Sequence, residues 1–222
     1  MNKFFSHLRT VHKHRKFVRK YCFKAGLYWQ GLTHDLSKYS PTEFFESVKY
    51  YQGDRSPIDA CKEDNGFSKA WQHHRGRNKH HREAWTDYYD KGTACVPMPY
   101  KYAAEMLCDY LGAGKAYQGA AFTYESELRW WEDNQLEKNI CIHPMTAKFI
   151  TLVLTDLAEF GYYNKNDKKI LKNLRLYYEK AYEWYWYHTR GKGNAVYFGR
   201  SLDFEDQLKE KYYSAPRELR EV

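Results

Sequence analysis

Eight of the ten histidines fall between positions 7 and 81, and the later two-thirds of the chain carries only His143 and His188. Taken with two aspartates they run in the order His14, the adjacent pair His34-Asp35, the doublets His73-His74 and His80-His81, then Asp109. Each surrounding segment reads as a helix, and helices packed together can aim imidazole and carboxylate groups at one metal centre. The chain is thereby held to folds that bring these distant segments side by side.

Helical punctuation dominates, and alternating apolar and polar runs are scarce. Phe4, Leu8, Val11, Val18, Cys22, Ala25 and Tyr28 recur mainly at spacings of three, four or seven, which predicts a long helix over 4–30. Ser40-Pro41-Thr42-Glu43 combines an N-cap, a first-turn proline and a capping-box glutamate, predicting a helix from about 41 to 52. Ser56-Pro57 opens a shorter one. Gly66–His74 and His80–Tyr89 read as two helical stretches with a break at Gly76, and Lys91–Pro99 reads as a loop. Further helices are expected from Tyr100 to about Gly119, over 123–136, from His143-Pro144 to Phe160, and from Asn166-Asp167 to about His188. From Thr189 onward the chain reads as a polar tail. The expected architecture is all-α: one helical-bundle domain over 1–188, its metal-bearing half near 1–120 and additional C-terminal helices packed over 121–188.

At 222 residues the chain can build a full core, and its 43% hydrophobic content supports a packed, soluble globule. No stretch approaches the roughly 20 apolar residues a bilayer span needs, and the basic N-terminus lacks the apolar region of a secretory signal. Cys22, Cys61, Cys95, Cys108 and Cys141 are odd in number and never arranged as C-x-x-C, which points to reduced thiols and a cytoplasmic setting. The net charge of +8 is uneven, with eight Lys or Arg residues before the first acid, Asp35. A basic first helix can meet nucleic acid or draw in a phosphorylated substrate, although a charge run by itself is ordinarily a solvated helix face.

The text around the ligand candidates sharpens the reading. His34-Asp35 lies in Gly26-Leu-Tyr-Trp-Gln-Gly-Leu-Thr-His-Asp-Leu-Ser-Lys38; the histidine doublets lie between Ala70 and Trp85; Asp109 lies in Cys108-Asp-Tyr-Leu-Gly-Ala-Gly114. The ordered set resembles the HD-domain superfamily of metal-dependent phosphohydrolases, helical bundles built on a histidine, a His-Asp doublet and a closing aspartate, with optional histidines between. More narrowly, residues 7–160 resemble a domain-of-unknown-function family of bacteria and their phages. That likeness implies His14 as the first histidine, His34 and Asp35 as the doublet, and Asp109 as the closing aspartate. It places Lys38 where many members carry a lysine that meets substrate phosphate. His74 and His81 are seven apart, as are His73 and His80, and each pair would share a face if the segment were one helix, a continuity that the break at Gly76 opposes. With His74 and His81 added, the set would hold one or two divalent ions (Mn, Fe, Zn, Mg or Co), as in dinuclear members.

The implied chemistry is metal-assisted hydrolysis of a nucleotide or other small phosphate ester, with His80 or Glu43 as proton carriers and Lys38, Arg75, Arg77 and Lys79 offsetting phosphate charge. Two other readings stand beside it. Six-ligand members of the superfamily include di-iron oxygenases, and a non-catalytic basic module could contact nucleic acid while holding a structural ion. Bland roles compete residue by residue: His12 as a solvated side chain, His143 as a helix-start residue, Lys38 as a helix-end cation, Glu43 as a capping-box member, and Trp71, Trp85, Trp130 and Trp131 as core.

Overall fold

The first helix ends earlier than its apolar spacing predicts, for a local reason. The structure, a computed structural model, describes residues 2–53, 55–89, 92–137, 141–162 and 166–189. Helix α1 (Lys3–Lys24) starts at Asn2, whose side chain accepts the Phe4 N–H. It closes at Gly26, which adopts φ +74°. The Leu27 N–H reaches the Cys22 carbonyl at 2.8 Å and the Gly26 N–H reaches the Phe23 carbonyl at 3.2 Å, the paired bonds of a Schellman ending. The helix expected over 4–30 is therefore two, α1 and the short α2 (Tyr28–Thr33).

The remaining helices are α3 (Pro41–Tyr50), α4 (Pro57–Asn65), α5 (Lys69–Arg77), α6 (Tyr100–Gln118), α7 (Tyr124–Glu137), α8 (Pro144–Phe160), α9 (Asn166–Lys172) and α10 (Leu174–Thr189), so the protein is predominantly all-α. Four of the expected elements change. Gly76 does not break α5, which runs on to Arg77 and stops at Asn78, where the Asn78 side chain returns to the His74 carbonyl at 2.8 Å. The helix expected over His80–Tyr89 is instead a 3-10 turn, Arg82–Trp85, followed by strand β1 (Thr86–Tyr89). Strand β2 (Gly92–Cys95) occupies part of the expected loop and pairs antiparallel with β1, Thr86 opposite Cys95. The Tyr- and Thr-rich run favours a strand more than a helix. The helix expected from Asn166 to His188 is divided at Asn173, whose N–H turns back to the Ile170 carbonyl at 3.0 Å. The polar tail from Arg190 lies outside the described residues.

Two compact units are present: Met1–Ala84 with Ala104–Phe122, and Trp85–Ala103 with Thr123–Val222. In the first, α1 packs on α2 and α3, and α3 on α4 and α5. Its α1 stripe of His7, Val11, His14, Val18, Tyr21 and Cys22 is buried at helical spacing. Gly112 of α6 lets the two backbones approach, since a Cβ there would sit 2.4 Å from Val18 Cγ2 and 2.8 Å from the Val18 nitrogen. In the second unit α8 packs on α7, α9 and α10, and it is buried on nearly every face. His143 caps α8 by accepting the Met145 N–H at Nδ1, 3.2 Å away, as its place before Pro144 predicts.

The cysteine reading needs one correction: Cys95 and Cys141 form a disulfide in the second unit, their Cα atoms 6.0 Å apart. Spacing of 46 residues hid the pair, because only folding brings the end of β2 to the approach of α8. Cys22, Cys61 and Cys108 are buried free thiols. Among the described residues, no helix is long and apolar enough to cross a membrane.

Candidate metal centre

His14 sits mid-stripe on α1, facing the start of the first unit's share of α6. The close approach at Gly112 puts Asp109, less than one turn away, against it: His14 Nε2 lies 3.1 Å from Asp109 Oδ1. The His34-Asp35 pair follows α2 through a turn that the backbone does not adopt freely. Asp35 has φ +55° and ψ +28°, left-handed, and is the one non-glycine residue with positive φ among the described residues. Aspartate tolerates this region better than most residues, and such conformations concentrate at functional sites. Arg15, beside His14, fastens the turn. Its Nε donates to the His34 carbonyl at 2.8 Å, Nη2 to the Leu32 carbonyl at 3.0 Å and Nη1 to the Tyr39 hydroxyl at 3.1 Å.

On the other side, α3 positions α5 with two glutamates at i and i+3. Glu46 accepts the Lys69 and Ala70 N–H groups and the Ser68 hydroxyl, capping α5. Glu43 accepts from His73 Nδ1 at 2.6 Å and His74 Nδ1 at 2.7 Å. Its expected capping-box role is thus only half met. Ser40 Oγ accepts the Glu43 N–H at 3.4 Å, but the Glu43 carboxylate turns inward and the Ser40 N–H bonds the Ser37 carbonyl.

These elements bring the ligand candidates into two groups that share Asp35. His14, His34, Asp35 and Asp109 form one; Asp35, His74, His80 and His81 form the other, the ligand atoms of each lying within 4.8 Å of one another. The Asp35 carboxylate is divided between them. Oδ2 faces His14 Nε2 at 3.3 Å and His34 Nε2 at 3.4 Å, whereas Oδ1 faces His74 Nε2 at 3.3 Å and His80 Nε2 at 3.5 Å. Asp109 completes the first group from 3.3 Å to His34 Nε2, with Oδ2 at 3.7 Å from His80 Nε2.

The fit to a cation rests on atoms left unmatched. His14 Nε2, His34 Nε2, His80 Nε2, His81 Nε2 and Asp35 Oδ1 are all sealed from solvent and lack hydrogen-bonding geometry to any partner. Such groups are costly to bury unless something satisfies them. Four imidazole nitrogens thus gather around the Asp35 carboxylate, an arrangement a metal would satisfy, and the donor sets, two imidazoles with two carboxylates and three imidazoles with one, suit divalent transition ions.

Sequence reasoning missed Glu105. Its Oε1 accepts from His34 Nδ1 at 3.0 Å and from His80 Nδ1 at 3.2 Å, orienting one histidine of each group. A further cluster of His34, His80 and Glu105 is accounted for by these bonds through Nδ1 and needs no third ion. With Glu43 on His74, the pattern is the carboxylate–histidine support that fixes a tautomer and frees Nε2 for a metal. The signal was present: Glu105 precedes Asp109 by four residues on one helix face. His73 joins Glu43 but stands outside both groups, whereas His80 and His81 both enter.

The electrostatics agree. Burial opposes charge on Asp35, yet His34, Lys38 and His74 hold its carboxyl well below the usual range; burial likewise opposes charge on Asp109, which the His14 and His34 contacts hold low. Burial disfavours a charged His34, but Asp35, Asp109 and Glu105 outweigh it and raise its pKa. His81 is driven down by burial, then by His80 and His74. Two ionised carboxylates in a dry site call for positive charge, which a metal supplies in place of protons. Lys38 reaches Asp35 Oδ2 at 2.7 Å, and a cavity of about 240 Å³ runs past it, lined on this side by His14, His74, His81 and Asp109.

Fold and site define a class: a helical protein with buried histidine and carboxylate groups able to hold metal. Within that class, the chain belongs to a family of unknown function, DUF5662, matching it over residues 3–156, a span that contains every residue of both groups. No curated protein and no solved structure matches the chain.

Proposed function

We propose that the protein is a dinuclear metal-dependent phosphohydrolase of the HD-domain type, acting on a nucleotide or another small phosphate ester. The observation that carries this reading is the split Asp35 carboxylate, one oxygen toward each of two imidazole sets in which Nε2 of His14, His34, His80 and His81 is buried without a hydrogen bond. His14, His34, Asp35 and Asp109 would hold one ion and Asp35, His74, His80 and His81 the other. Bound divalent ions supply Lewis-acid polarisation of a phosphoryl oxygen and a water of lowered pKa.

The chain's own residues set up the rest. Glu105 and Glu43 accept hydrogen bonds from Nδ1–H of His34, His80 and His74, so these rings would present their Nε2 lone pairs inward. Lys38, at the cavity and pinned to Asp35, offsets phosphate charge. His80, one of the expected proton carriers, is assigned to the metal instead, and Glu43 is assigned to positioning. Exposed Arg9, Lys16, Arg19 and Lys20 on α1 would draw a phosphorylated substrate in, and they are also what a nucleic-acid contact would use. The reading places the protein in the cytoplasm of a bacterium or phage-infected cell. The three free thiols support this, and the Cys95–Cys141 bridge opposes it.

The test is metal content by mass spectrometry on untagged protein, together with hydrolysis of a broad nucleotide and phosphoester panel. Two equivalents are expected in the native protein. Asp35→Ala should lose both and with them all hydrolysis, while Asp109→Ala should lose chiefly one. A metal-loaded protein inert to the whole panel would reject the reading. The imidazole-rich second group favours one alternative, an iron-dependent oxygenase, which iron as the native metal without hydrolysis would select.

A further inference from the structure

The cavity has a second end. His14 and His7 lie seven residues apart on the buried stripe of α1, about 10 Å at 1.5 Å per residue. Besides His7 and the metal-end residues, the lining carries the hydroxyls of Thr10, Ser47 and Tyr51, the cation Arg55 and apolar side chains such as Val11 and Ile58. Thr10 and Tyr51 satisfy each other, their hydroxyls 2.8 Å apart, and the Thr10 hydroxyl also bonds the Ser6 carbonyl at 3.1 Å. His7 is different. It is only 6% exposed, its Nδ1 is sealed off without a partner, and no hydrogen bond forms at either ring nitrogen among the described residues. Phe44 and Tyr51 hold the ring in place, with centroids at 5.2 and 5.5 Å. Since Nδ1 is closed off, Nε2 is the atom the ring can offer to the cavity it lines.

We infer that His7 selects the substrate: the phosphate of a small monoester lies at the metal end, and Nε2 of His7 hydrogen-bonds a hydroxyl or ring heteroatom of the esterified alcohol. This rests on the phosphohydrolase reading. Burial, and then the charge of Lys38, lower the His7 pKa to about 4, so the ring is uncharged at neutral pH and recognises a neutral polar group, not the anion. The volume, about 240 Å³, is below the roughly 300–1,000 Å³ of pockets for drug-sized ligands. A sugar phosphate or a mononucleotide suits that space and the 10 Å separation of the two ends; a polymer enclosed along its length does not.

Calorimetry on the full, metal-loaded chain tests this with inorganic phosphate and with phosphonate analogues of a nucleoside monophosphate and a hexose phosphate, whose phosphorus–carbon bond resists hydrolysis. His7→Phe, which keeps the ring against Phe44 and Tyr51, should retain metal and phosphate affinity but weaken the better phosphonate at least tenfold. His7→Gln, which restores a polar group near Nε2, should recover most of that loss. Unchanged phosphonate affinity in His7→Phe, equal loss of phosphate and phosphonate, or loss of metal would each overturn the inference. Native protein that binds phosphate but no phosphonate more tightly would overturn it while sparing the phosphohydrolase reading. Native protein that binds phosphate no better with metal than without would remove both.

Discussion

The two units fill their interiors in opposite ways. In the second, α8 places Phe149, Ile150, Val153, Leu154 and Leu157 fully out of solvent, the buried Asp156 accepts the Tyr177 hydroxyl at 2.5 Å, and Trp184 Nε1 is a buried donor with no hydrogen bond. In the first, some of the deepest positions belong to His34, Asp35, His74 and His80, and several of their inward atoms are unmatched. An unsatisfied buried polar group costs about 1–3 kcal/mol. On the proposed metal binding, the first unit would be held in part by its ions, whereas the interior around α8 is held by apolar packing.

The strongest way to break this contrast is to strip the metal and follow amide exchange. Protection should fall across α1, α5 and the Ala104–Gln118 part of α6 while α8 keeps its own, and metal restored at a hundred times its Kd should return about 2.7 kcal/mol per site. The converse is Phe149→Ala, expected to cost about 3–5 kcal/mol with metal content unchanged. Equal loosening of α8 on metal removal would end the distinction. A smaller effect sharpens it: Gly112→Ala forces a Cβ into Val18 and should cost about 1–3 kcal/mol. Because it separates Asp109 from His14, mass spectrometry should find one equivalent lost and the Asp35, His74, His80 and His81 group still loaded.

The mildest per step is a pH dependence in the second unit, spread over the range from pH 6.5 to about 4. Burial lowers the His143 pKa from 6.5 to about 4, and its neutral Nδ1 accepts the Met145 N–H beside the Tyr185 ring. The unfolded chain takes up this proton near pH 6.5 and the folded chain does not. The contribution is therefore complete above pH 6.5 and declines as pH falls toward 4, at no more than about 1.4 kcal/mol per pH unit. Exchange of the first-turn amides of α8 should report it, and His143→Asn, which keeps a capping acceptor, should flatten it.

Elements specified by their own residues were legible in the sequence. Proline and cap signals located α3, α4 and α8, apolar spacing located α6, and the helix expected over 123–136 is α7. Errors arose where two local signals compete. Gly76 costs a helix only about 1 kcal/mol against alanine, which the capping at Glu46 and Asn78 outweighs, whereas Gly26 is followed by an apolar Leu27 suited to a Schellman ending. In the candidate site, the order of histidines and aspartates picked out six of the seven residues that the fold gathers into the two groups. It did not show that His80 joins them, that Glu43 turns inward, or that Glu105 supports two rings, since these depend on which side chains face each other after packing.

The left-handed turn at Asp35 narrows what position 35 can accept. The backbone there admits glycine, asparagine or aspartate most readily, and of these glycine brings no ligand and asparagine only one carboxamide oxygen. Glutamate restores both oxygens but adds a methylene and lacks the shorter side chain's tolerance of that conformation. A steric demand and, on the proposed reading, a coordinative one would thus intersect on a single amino acid, which leaves position 35 almost no substitute that meets both.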